Sequence, residues 1–197
     1  ATDTIVAGAL SSATFATATD APGFESIATV SFTTASRVET GGKVKLVMPE
    51  QVSAQHGWRF TDASGPPSVE ASGTSNAPTI AFTTPSSGAP GVAASSVDYT
   101  LSARTLVFAI ETNSMAQSTN YVLTISNVLT PSSVVGASNV VATTMDSKDG
   151  DVDTTSSMAT DTIVAGALSS ATFATATDAP GFESIATVSF TTASRVE

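Results

Sequence analysis

The densest group of side chains able to do chemistry is the run Asp146-Ser147-Lys148-Asp149-Gly150-Asp151-Val152-Asp153. Alternating aspartates around a glycine are how a short loop wraps calcium, a hard cation that takes about six to eight oxygen ligands. Asp146, Asp149, Asp151 and Asp153 would supply the first carboxylates, and Asp161, a little further along, could complete the set. Against a calcium loop stand Lys148 inside the run and the lack of a glutamate at EF-hand spacing. The same residues also suit a solvated acidic linker.

Hydroxyls beside proline form the second group. Thr84-Pro85-Ser86-Ser87 and Thr130-Pro131-Ser132-Ser133 make Thr84, Ser86, Ser87, Thr130, Ser132 and Ser133 candidates for O-linked glycans, with plain turn chemistry as the other reading. Asn76, Asn113, Asn120, Asn127 and Asn139 lack Ser or Thr two positions on, so none is an N-linked sequon.

Nothing here assembles a catalytic centre. His56 is the sole histidine, and one imidazole without a nucleophile or a second ligand makes neither a triad nor a zinc site. It reads as an ordinary loop or surface residue. Trp58 is expected to anchor a core or an interface, since large aromatics dominate buried area. Stacking of Trp58 and Arg59 on a sugar ring is the alternative. Glu70, Asp98 and Glu111 are scattered rather than paired for general acid and base work. No phosphate loop, H-E-x-x-H or G-x-S-x-G occurs. The expectation is a protein that is not an enzyme and has no cofactor, unless calcium is one.

Seventeen acidic against seven basic residues give a net charge of -10. That balance repels nucleic acid and anionic lipid, so neither is an expected partner. Only 12 % of residues are charged, well under the usual share, and the surface is expected to be hydroxylated rather than ionic. With no cysteine, disulfides and thiolate metal sites are excluded. The apolar runs are too short to cross a bilayer as helices, and membrane insertion is not expected.

Residues 159–197 repeat residues 1–39 letter for letter, a period of 158 residues (159 − 1 = 158). Fixed-period identity marks a tandem array whose units are structural. One period is large enough to bury its own core. Residues 1–158 are therefore expected to form one β-sandwich, with 159–197 opening the next repeat. In the alternative register, 40–197, the module would take its opening strands from the second copy.

Helical periodicity is absent, whereas period-two alternation recurs. Ala28, Val30 and Phe32 alternate with Thr29, Ser31 and Thr33, and Val44, Leu46 and Met48 with Lys43, Lys45 and Val47, as half-buried strands require. Gly41-Gly42 between these runs predicts a turn that pairs them as neighbours. Other strands are expected at residues 4–10, 14–19, 58–61, 68–72, 79–83, 97–101, 105–111, 121–128 and 139–145. Leu106, Phe108, Ile110, Tyr121, Leu123 and Ile125 are the expected core. Residues 61–96, rich in Gly, Pro and Ser, are expected to hold long loops and short edge strands.

The run ATVSFTTASRVETGGKVKLVMPE, followed later by NYVLTISNVLTPSSVVGASNVVATTMDS, resembles the Thr-rich Ig-like repeats of large secreted or surface proteins of algae and other protists, with similar modules in bacterial surface proteins. The resemblance implies an all-β, Ig-like sandwich that a strand from a neighbouring repeat could complete. It also implies an extracellular or cell-surface location and a fibre-forming or adhesive role. In algal walls, Ala-Pro pairs such as Ala21-Pro22, Ala77-Pro78 and Ala89-Pro90 resemble glycosylated hydroxyproline units. Two functional expectations follow. One is a filament whose modules associate through β-strand contacts, so that the partners are copies of the chain or adjacent repeats, with attached glycans. The other is a spacer stalk of independent Ig-like modules in a surface adhesin, stiffened by calcium at the linkers.

Overall fold

A computed structural model describes residues 5–50, 57–60, 71–72, 78–100 and 104–193. His56, Glu70, the turn at Gly65-Pro66-Pro67 and most of the expected strand at 68–72 lie outside the described residues. The fold is all-β. In chain order the strands are β1 (Gly8–Ala9), β2 (Ser11–Thr17), β3 (Glu25–Thr33), β4 (Lys43–Val47), β5 (Arg59–Phe60), β6 (Ala71–Ser72) and β7 (Ile80–Thr84). They continue as β8 (Val97–Thr100), β9 (Thr105–Ala109), β10 (Asn120–Leu129), β11 (Asn139–Met145), β12 (Asp151–Ala159), β13 (Ser169–Thr175) and β14 (Ala186–Thr191).

One sheet runs β1-β12-β11-β4-β9-β8-β6, and the other runs β2-β3-β10-β5 with β7 also paired to β10. Among the described residues, the strand pairings are antiparallel except β1 with β12, which is parallel. The sheets face each other across a single core. Phe82 of β7 meets Phe108 of β9 edge to face at 6.3 Å, and Phe60 of β5 meets Tyr99 of β8 at 5.1 Å. Burial follows the sequence alternation, with Val30, Phe32, Val44, Leu46, Leu106, Phe108, Ile110, Tyr121, Leu123 and Ile125 all inside. These apolar faces are what draw the sheets together.

Two expectations are corrected. The first concerns Gly41-Gly42, which does not join a hairpin: β3 belongs to one sheet and β4 to the other. Gly41 takes a left-handed φ of +86°, and the pair is gripped by Ile110, whose carbonyl accepts from Gly41 N–H at 2.7 Å and whose N–H donates to Gly42 O at 2.8 Å. The chain therefore crosses between layers there. Two-period alternation cannot tell a hairpin partner from a partner across the sandwich, since both ask for one apolar face. The second concerns the acidic run, which is no linker. Residues 146–150 are a turn and Asp151–Ala159 is a full strand, β12, between β1 and β11. Its low apolar content hid it from the pattern.

The opening segment closes the sandwich by touching both sheets. Gly8 and Ala9 pair with Asp153 and Thr154 in one sheet, Leu10 turns inward, and Ser11–Thr17 pairs with β3 in the other. Position 8 favours glycine, because a Cβ there would displace Asp153 Oδ1 and press on Ala35 and Ser36.

Candidate functional site at the repeat boundary

The five aspartates singled out by sequence are not brought together. Asp146 Oδ1 accepts from the N–H groups of Lys148 and Gly150 at 2.7 and 2.9 Å, and the Gly150 and Lys148 amides hold its carboxyl below the ordinary carboxylate range. Asp149 pairs with Lys43 at 2.6 Å on the surface. Asp151 is exposed, while Asp153, two residues on, is fully buried. Between them the β11–β12 register slips: Thr144 faces Asp153 and Met145 faces Asp151. That extra residue breaks the alternation that would have put both carboxylates on one face. Asp153 Oδ2 accepts from the N–H groups of Ala35 and Ser36, both at 2.9 Å, and so ties the end of β3 to β12. Among the described residues, no group of three or more His, Asp or Glu side chains is placed to hold a metal ion.

Asp161 lies elsewhere, at the seam between the two copies. Its Oδ2 accepts from Thr17 N–H at 2.6 Å and from Thr17 Oγ1–H at 3.0 Å. Around it the first residues of the second copy are stitched to the first module. Thr160 N–H donates to Ser138 O at 2.7 Å, and Thr160 Oγ1 accepts from Ser138 N–H at 3.1 Å. Ile163 and Val135 exchange two backbone hydrogen bonds, and Val164 N–H donates to Asp20 O at 3.0 Å. Ile163 is wholly buried in the core, whereas Thr162 and Val164 on either side face out. The strand expected at residues 4–10 marks the same alternation in this copy, but no sequence pattern marked its partners, which lie far away in the chain.

Beyond the seam the second copy stands open. β13 and β14 form a hairpin in the same register as β2 and β3: Thr172 faces Ser189 as Thr14 faces Ser31, and Phe173 faces Val188 as Phe15 faces Val30. The turn glycines agree as well, with φ of +70° at Gly23 and +78° at Gly181. Yet Phe15 is 2 % exposed and Phe173 is 71 % exposed, and Leu168, Val188 and Phe190 are likewise bare where Leu10, Val30 and Phe32 are covered. The hairpin presents a core face with no core against it.

The hydroxyl candidates divide. Ser86, Ser87 and Ser133 are exposed, and Thr84 and Ser132 are half-buried. Thr130 is buried, donating to Ala21 O at 2.7 Å and accepting from Phe24 N–H at 2.9 Å, so its hydroxyl is spent on holding the strand edge rather than offered to a glycan. The sugar-stacking alternative for Trp58 and Arg59 is also corrected. Both are buried, and Trp58 packs edge to face on Phe15 at 5.6 Å.

Set against known proteins, the chain matches no family model, no curated protein and no solved structure.

Proposed function

We propose that this chain is a structural, Ig-like repeat of an extracellular filament or cell-surface fibre, in which successive modules are tied by β-strand contacts from the opening segment of the next period. The observation that carries this reading is one 39-residue sequence in two environments. The first copy is built into a sandwich. The second copy repeats its hairpin with Leu168, Phe173, Val188 and Phe190 facing outward. Burying side chains of this size contributes about 1.5–3 kcal/mol each, so the four together approach the whole stability of a typical domain. A two-stranded hairpin alone is marginal in water, and the natural cover for this face is the remainder of a second module. The hydroxyl-rich, weakly charged composition suits an extracellular surface, and the exposed Ser86, Ser87 and Ser133 are the hydroxyls proposed to carry O-linked glycans.

The test is a series of chains with one, two and three complete periods, viewed by negative-stain microscopy. The expected outcome is a rod of constant diameter that lengthens by a fixed step per period. Flexible strings of separate beads would overturn the filament reading in favour of an adhesin stalk. For the glycans, an intact mass of native material equal to that of the bare chain would remove them from the proposal.

A further inference from the structure

We infer that each sequence period is folded across two modules: its first six residues seal the module before it, and its residues from Gly8 onward build its own. The folded unit is then residues 7–164, offset from the sequence period 1–158. The partner that Ile5 and Val6 fit is the rim of another copy of this module.

The inference starts from a contrast that composition cannot produce. Ile5 and Ile163 are the same residue in the same local sequence, yet Ile5 is 97 % exposed and Ile163 is 0 % exposed. What differs is the seat. Ile163 lies against the Val135 backbone, Asp161 accepts from Thr17 N–H and shares the Thr17 hydroxyl with the Thr19 carbonyl, and Val164 reaches the Asp20 carbonyl. The seat reads an extended peptide with an acid two residues before a branched apolar side chain. The backbone bonds supply attachment, and the Asp and Ile side chains supply the choice of segment, as when a peptide is added to a sheet edge.

A mechanical consequence follows. Val164 is still bonded to the first module, while Gly166, the counterpart of the β1 residue Gly8, would enter the next. Ala165 alone lies between, and one residue spans only about 3.5 Å. Successive modules must abut, leaving no free linker to swing.

This inference rests on the filament reading only for the identity of the partner. Its test uses the full 197-residue chain with Ile163→Ala and, as a control of identical chemistry, Ile5→Ala. Urea unfolding is followed by the fluorescence of Trp58, and amide exchange is measured at Val135 and Ile163. The expected result is a clear drop in urea midpoint for Ile163→Ala with none for Ile5→Ala, and at least tenfold faster exchange at both amides in Ile163→Ala. Should Ile163→Ala not fold, Ile163→Val and Asp161→Asn are read by the same exchange. Equal midpoints for the two alanine variants, or unprotected Val135 and Ile163 amides in the parent chain, would overturn the inference. That failure leaves rods in the microscope untouched. Flexible strings there, alongside a large difference between Ile163→Ala and Ile5→Ala, would sink the filament reading and leave the seal standing.

Discussion

Residues 11–33 and 169–191 are the same peptide twice, and they differ in almost nothing local. Both hold a hairpin with matching register, and both take the same kink, with φ near +50° at Ser12 and Ser170. Ala18 N–H donates to Ile27 O at 3.0 Å in one, and Ala176 N–H to Ile185 O at 2.9 Å in the other. The two part company wherever a third strand is needed. β3 spans Glu25–Thr33, whereas β14 covers only Ala186–Thr191. Of the three extra residues of β3, Glu25, Ser26 and Ile27, the first two face Leu129 and Val128 of β10. Gly166 and Ala167 form no strand because the counterpart of β12 is not beside them. The lesson is that hairpin geometry is a local property of this peptide, while its length, its burial and its energetic worth belong to the neighbours.

The comparison can be broken most forcefully at its largest side chain. Phe15→Ala should cost roughly 3–5 kcal/mol by opening a cavity beside Trp58, whereas Phe173→Ala should stay within about 0.5 kcal/mol, both from urea midpoints. Equal effects would mean that the second hairpin is covered in solution. A smaller contrast is expected at the glycines. Gly8→Ala forces a Cβ onto Asp153 and should lose about 1–3 kcal/mol. Gly166→Ala, on exposed backbone, should be neutral by the same measurement.

Next comes a pH effect confined to the sandwich. Burial between the sheets pushes the Tyr99 phenol up to about 12, with the Phe60 backbone and the Arg59 and Arg104 charges pulling partly the other way. The folded state thus holds its proton more tightly than the unfolded chain. The associated stability is complete below pH 10 and is lost as pH rises from 10 towards 12, by roughly 1 kcal/mol at pH 11. Urea midpoints across that range should fall in the parent and flatten in Tyr99→Phe, while the β13–β14 hairpin shows no such limb. The smallest effect belongs to the open hairpin. Thr172 and Ser189 share a hydroxyl hydrogen bond of 2.7 Å across the strands, and Thr172→Ala should loosen the hairpin by a few tenths to about 1 kcal/mol. Amide exchange within residues 169–191 would register it, with no change in the Trp58 transition.

Legibility followed distance along the chain. The alternations through Ala28, Val30 and Phe32 and through Val44, Leu46 and Met48 marked both strands and their buried faces, because side-chain alternation is a nearest-neighbour property. Core residues such as Phe108 and Leu123 were legible for the same reason. The acidic run misled because four carboxylates close in sequence were separated by one register slip and one strand end. Asp161 was singled out as a calcium ligand, but its partner was not legible, because Asp161 and Thr17 meet 144 residues apart and Thr17 carries no motif.

By itself, the sequence determined that there is a repeat and that its units are all-β, and it marked strands within residues 11–33 and their copy, since alternation acts within a few residues. The tertiary structure alone decided which copy became core and where the rim of the module falls. It also decided that Asp153 is interred between strands while Asp161 locks a seam. Those outcomes depend on which distant strands arrive to cover a face, and two identical peptides can differ in that without differing in a single residue.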